Sequence, residues 1–128
     1  MSQYLGAVSI LVRNYDDALA FYCGKLGFAV FEDTAMGDKR WVVIGHAGGQ
    51  TRLLLAQAST PAQVAAVGLQ GAGRVWLFLN TDNFARDHAA YLIAGIKFHE
   101  APRHEAYGSV AVFEDLYGNM WDLIEPKH

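Results

Sequence analysis

The chain has 128 residues, 52% of them hydrophobic, which is enough to close one sizeable core and leaves no expectation of a second independent domain. Ten Lys and Arg against thirteen Asp and Glu give a net charge of -3, so the electrostatic footprint of nucleic acid or an anionic membrane is missing and small molecules are the expected partners. A single cysteine (Cys23), an N-terminus without a basic lead, and no apolar run near the roughly 20 residues that span a bilayer together predict a cytoplasmic protein.

Residues 7–12, AVSILV, read as a strand. After Arg13, Asn14 offers a side-chain cap and Asp16 and Asp17 put acids in the first turn of a helix running to Gly27. Tyr15, Ala18, Leu19, Tyr22 and Leu26 recur at helical spacing and define one buried face, and Gly27 supplies the left-handed residue that commonly ends a helix. Strands are then predicted over 28–33, 40–45 and 51–57, separated by the turn-forming AMGD and HAGGQ.

The second half repeats this order: strand 75–80, a helix opening at Asp82 and ending at Gly95, then strands 96–100, 108–114 and 120–125. Asn14 and Gly27 stand as far apart as Asp82 and Gly95, so the two helices superpose without a gap. The reading is a single α+β domain of two tandem modules, 1–57 and 74–128. The connector over 58–73 is rich in Ala, Gly, Ser and Gln and is expected to be exposed, with one short helix near 62–67. Alternation sets Val75, Leu77 and Leu79 on one side of their strand and Trp76, Phe78 and Asn80 on the other.

The stretch LVRNYDDALAFYCGKLGF resembles the first-module signature of the vicinal oxygen chelate superfamily, to which glyoxalase I, extradiol dioxygenases and bleomycin-binding proteins belong. TDNF and PRHEAYGSVAVFEDLYGNMWDLIEP are similar to its second-module elements, so the resemblance covers nearly the whole chain. It implies two βαβββ modules whose mixed sheets curve into a cup, and a homodimer. It also implies four ligand positions for one divalent ion, on the first and last strands of each module. Counted back from the caps, the first and third fall on Ala7 and Val75. The second falls on Leu54, or on Leu53 if the turn differs by one residue, and the fourth on Asp122. A lone carboxylate does not hold a catalytic ion, so no metal and no cofactor are expected.

The expected ligand-binding residues are Trp41, Arg52, Leu54, Leu77, Arg103, Glu105, Tyr107 and Asp122, with Asp122, Glu105 and His104 as candidates should there be catalysis. Asp122, desolvated among aliphatic neighbours, is either a base or cation clamp, or a structural carboxylate bonded to backbone or to Arg52. Arg52 faces the cup if Leu54 does; Gln57 does so if Leu53 holds the ligand position. Trp41 competes with Arg40 for the inward face, whereas Trp76 and Phe78 are expected to pack under the helix. Arg103, Glu105 and Tyr107 share a bordering loop suited to orienting a polar ligand or a dimer contact. His46, His88, His99, His104 and His128 form no metal spacing, and of these only His104, beside Glu105, is kept as a proton carrier. Cys23 is expected to be a packed side chain.

Two functions follow from the resemblance. One is a metal-free protein binding a planar or cationic small molecule, like the bleomycin-resistance branch. The alternative is a metal-dependent lyase, isomerase or dioxygenase with a shifted metal site. A third reading is an interaction module whose cup is filled by its own side chains.

Overall fold

The computed structural model describes residues 2–127, and contacts group them into two units, one reaching Val67 and the other starting at Gly68. His128 lies outside the described residues. The first unit runs β1 (Ala7–Val12), α1 (Tyr15–Tyr22), β2 (Ala29–Met36), β3 (Lys39–Gly45), β4 (Arg52–Gln57) and a short α2 (Pro61–Ala66). The second runs β5 (Val75–Asn80), α3 (Phe84–Ile93), β6 (Arg103–Glu105), β7 (Gly108–Glu114) and β8 (Met120–Pro126). Both sheets have the same topology. Their orders are β1-β4-β3-β2 and β5-β8-β7-β6, with the first strand of each unit parallel to the last and the other pairs antiparallel. The repeated βαβββ order predicted from the sequence is therefore present.

In the first unit Ile10, Val12, Val42, Ile44, Leu53 and Leu55 are buried on one side of the sheet, where Tyr15, Ala18 and Tyr22 of α1 supply the matching apolar stripe. Asn14 caps α1 as expected, its Oδ1 accepting from the Asp17 backbone N–H at 2.7 Å. The helix itself stops at Tyr22, earlier than predicted. Residues 23–26 form turns, in which Leu26 N–H reaches back five residues to Phe21 O (3.1 Å), and Gly27 at φ 86° turns the chain into β2. The connector is not uniformly exposed. Its helix belongs to the first unit, with Thr60 and Gln63 forming a capping box and Val67 buried, while Gly68 onward packs with the second.

In the second unit Phe113 stacks on Trp121 and meets Tyr91 of α3 edge to face, which fixes the helix-covered side of that sheet. Three expectations are corrected here. The cap of α3 is Asn83, whose Oδ1 accepts from Arg86 N–H at 3.1 Å; Asp82 instead pairs with the Arg86 guanidinium at 3.0 Å. The strand therefore starts one residue further from its cap than in the first unit. A register shift in β5 between Val75 and Leu77 accommodates the extra residue, Trp76.

Residues 96–100 do not form a strand; Phe98 makes an isolated bridge to Phe113, and the edge strand β6 lies instead at Arg103–Glu105. Pro102, without an N–H, separates the two segments that share the outer edge of β7. Across the break, Val112 N–H donates to the Glu100 carboxylate at 3.0 Å, so a side chain replaces the missing ladder acceptor. Among the described residues no helix is long and apolar enough to cross a membrane.

Candidate functional site

Each sheet leaves one face without its helix, and strand pairing decides what that face carries. In the first unit, Ala7, Ser9 and Leu11 pair with Arg52, Leu54 and Ala56, on the side opposite the buried Leu53 and Leu55. Of the two alternatives, Leu54 is thus on the helix-free face and Leu53 is not. Arg52 joins it, whereas Gln57 lies on the other side and donates to Arg13 O at 3.1 Å.

Trp41 and Arg40 are resolved by the same parity. Val42 and Ile44 are fully buried under α1, so Arg40 points that way; its guanidinium binds Asp16 at 2.9 Å and Asp33 at 2.6 Å and lies over the Tyr15 ring. Trp41 is left on the helix-free side, 42% exposed. A shallow depression of about 230 Å³ at the strand ends is lined from that side by Leu11, Trp41, Leu54 and Ala56 and from the helix-covered side by Tyr15, Arg40 and Gln57, so it is not confined to the helix-free face. Arg52 is largely committed to structure, donating to His46 O and Gly49 O of the β3–β4 turn and stacking 3.9 Å from the Phe31 ring centroid.

The second unit reverses two expectations. Beyond the bulge at Trp76, Leu77 pairs with Trp121 and Leu79 with Leu123, both buried on the α3 side; Phe78 pairs with Asp122. Leu77 thus shares the helix-covered side, and Phe78, expected under the helix, stands beside Asp122 and is 64% exposed. Val75, paired with Met120 before the bulge, remains on the side of Asp122.

The PRHEAYG phrase is a hairpin of β6 and β7, not a free loop. Arg103 pairs with Val110 and Glu105 with Gly108, placing both on the Asp122 side. His104 takes the opposite side, its Nδ1 at 2.9 Å from Ser109 Oγ and its ring edge-on to Phe84, so the structure does not bring it to Asp122. The Arg103 guanidinium binds Glu100 at 2.9 Å, Glu105 at 3.3 Å and the Tyr107 hydroxyl at 3.3 Å. Sequence reading missed Glu100; the only signal was Pro102 just after it, which marks a break in the edge strand.

Asp122 stands apart in this group. Its Oδ1 is buried with no hydrogen-bond partner among the described residues. Burial pushes its carboxyl above the usual range, Arg103 opposes the shift and the nearby Glu100 carboxylate reinforces it. Glu100 is held below its ordinary value, first by the Arg103 hydrogen bond and further by the Val112 N–H.

The divalent ion that the fold implies does not fit this donor set. Ala7, Leu54 and Val75 have no donor atom, and counting from the true cap Asn83 replaces Val75 by Trp76, which offers none either. Among the described residues, no three His, Cys, Asp or Glu are grouped to hold a metal.

Comparison with known proteins agrees with this architecture. A family model described as Glyoxalase/Bleomycin resistance protein/Dioxygenase superfamily matches residues 4–123. An uncharacterized protein of Shewanella frigidimarina is 50% identical over 98% of this chain and 95% of its own length. Among solved structures, UcmS2 superposes with a TM-score of 0.84 at 29% identity, covering 98% of this chain and 99% of its own. TnmS3, an antibiotic binding protein from Streptomyces sp. CB03234, superposes with a TM-score of 0.82 at 25% identity over 98% of each chain.

Proposed function

We propose that this chain, which belongs to the Glyoxalase/Bleomycin resistance protein/Dioxygenase superfamily, is a metal-independent binding protein for a planar or cationic small molecule. The observation that carries the reading is an exposed aromatic ring on the helix-free face of each sheet, Trp41 at 42% in the first unit and Phe78 at 64% in the second. Rings of this kind give a planar ligand a large contact area for little lost side-chain entropy. The positions that the family resemblance assigns to metal ligands fall on side chains without a donor, Leu54 in the first unit and Val75 or Trp76 in the second, which favours an apolar guest over a hydrated ion. TnmS3 binds an antibiotic, and the same capacity for an organic guest is part of this reading.

Two measurements test it. Protein purified without chelators is expected to contain far less than one Zn, Ni, Mn or Fe per chain by elemental analysis, and binding of planar aromatic probes is expected to survive treatment with EDTA. Close to one ion per chain, lost together with an activity in Asp122→Ala, would establish a shifted metal site and overturn the proposal.

The reading includes a homodimer with closed twofold symmetry, which gives exposed apolar side chains such as Phe31 and Met36 of the edge strand β2 a covering surface. Light scattering is expected to return twice the chain mass across micromolar concentrations; the single-chain mass throughout would remove the dimer from the account.

A further inference from the structure

We infer that the Asp122 side of the second sheet selects a ligand whose protonated amine carries at least one N–H, set on a planar ring that stacks on Phe78. The inference rests on the binding-protein reading and adds the chemical class of the guest. Its starting point is the buried Asp122 Oδ1, an acceptor with no partner among the described residues. A buried acceptor left unpaired is costly, and the protein groups closest in charge do not relieve it. Among the described residues, Arg103 is the cation whose charge opposes the shift of Asp122, yet its guanidinium already binds Glu100, Glu105 and the Tyr107 hydroxyl. Satisfying Asp122 from Arg103 would give up those bonds.

Charge and neighbourhood then restrict the occupant. The Glu100 carboxylate adds its negative charge to the surroundings of Asp122, and Glu105 faces the same side, so three carboxylates stand against one guanidinium. An anion is disfavoured and a cation favoured. Phe78, paired with Asp122 on the adjacent strand and 64% exposed, offers a ring face next to the carboxylate, which suits a planar group and attracts positive charge. Charge alone does not satisfy Oδ1, however. A quaternary ammonium has no hydrogen to donate and leaves the orphaned oxygen as it was, whereas a primary or secondary ammonium gives it a charge-assisted hydrogen bond.

Four indole probes separate these contributions in the intact chain, with binding measured by NMR titration. Tryptamine carries charge and N–H donors on its ammonium, N,N,N-trimethyltryptammonium carries charge without them, 3-ethylindole is neutral and indole-3-propionate is anionic. Tryptamine is expected to bind about tenfold more tightly than the trimethyl compound, with indole-3-propionate weakest. In Asp122→Asn the advantage of tryptamine over 3-ethylindole is expected to disappear. Equal affinities for tryptamine and its trimethyl form, an unchanged preference in Asp122→Asn, or indole-3-propionate as the tightest probe would each overturn the inference. In those cases the binding of 3-ethylindole leaves the binding-protein reading standing. Binding of none of the four would overturn both. The comparison among probes on the unaltered protein holds even if the variant folds poorly.

Discussion

Replacing Asp115 with alanine is expected to destabilise the protein by about 3 kcal/mol or more, the largest effect of any single polar substitution considered. Asp115 is 3% exposed and sits in the turn between β7 and β8. One carboxylate oxygen accepts the backbone N–H groups of Tyr117 and Asn119, each at 3.0 Å; the other accepts Asn119 Nδ2 at 3.1 Å and the Trp121 indole N–H at 3.0 Å. Truncation removes the acceptor that these four donors share, three of them in buried hydrogen bonds. The loss extends beyond the turn, because Trp121 stacks on Phe113 in the core and Asn119 Oδ1 accepts Gln70 N–H at 3.3 Å, tying the chain after Gly68 to the hairpin. Asp115→Asn keeps the shape and exchanges an acceptor for a donor, so it is expected to lose part of the stability. Denaturant midpoints check both variants. An alanine midpoint matching the parent protein would show that water replaces the carboxylate without cost.

Gly68→Ala is expected to cost on the order of 3 kcal/mol, several times more than Gly27→Ala at about 1 kcal/mol. Both glycines adopt left-handed geometry, φ 80° and 86°, so backbone conformation alone predicts equal penalties. Space separates them. A Cβ on Gly27 meets nothing within 4 Å, whereas one on Gly68 falls 1.9 Å from the Tyr117 carbonyl oxygen, a backbone atom that moves only with the whole Asp115 turn. The two substitutions, compared in one denaturation series, isolate the cost of that clash. Equal shifts in midpoint would mean that the turn yields freely.

Local chemistry made much of this fold legible in the sequence. The bounds of β1 and β5, the Asn14 cap and the left-handed glycines at 27 and 95 all depend on near neighbours in the chain, and all are found. The errors have a common origin in single-residue irregularities that short-range patterns do not show. The extra residue Trp76 inverts the parity of everything after it in β5, moving Leu77 under the helix and Phe78 beside Asp122. Shifting the α3 cap from Asp82 to Asn83 hid that insertion, because the helix lost one residue where the strand gained one. At the far edge, the predicted strand 96–100 keeps only the bridge between Phe98 and Phe113, and beyond Pro102 the pairing with β7 resumes at Arg103–Glu105.

The same irregularities set the candidate site. The sequence left the faces of Trp41, Arg52 and Leu54 open, and strand parity puts them, with Asp122 of the second unit, on helix-free faces. Phe78 and Glu100 were not legible, since one depends on a bulge and the other on a side chain standing in for a ladder carbonyl. Both now border Asp122, where they supply a ring face and negative charge.

Mapping the amide shifts of the labelled protein in EDTA, on addition of tryptamine, tests metal-independent binding most directly. Saturable shifts centred on Phe78 and Asp122 are expected, with no change when a divalent ion is restored. Shifts that arise only after the ion is added, or that spare these strands and fall on the outer faces of α1 and α3, would contradict it.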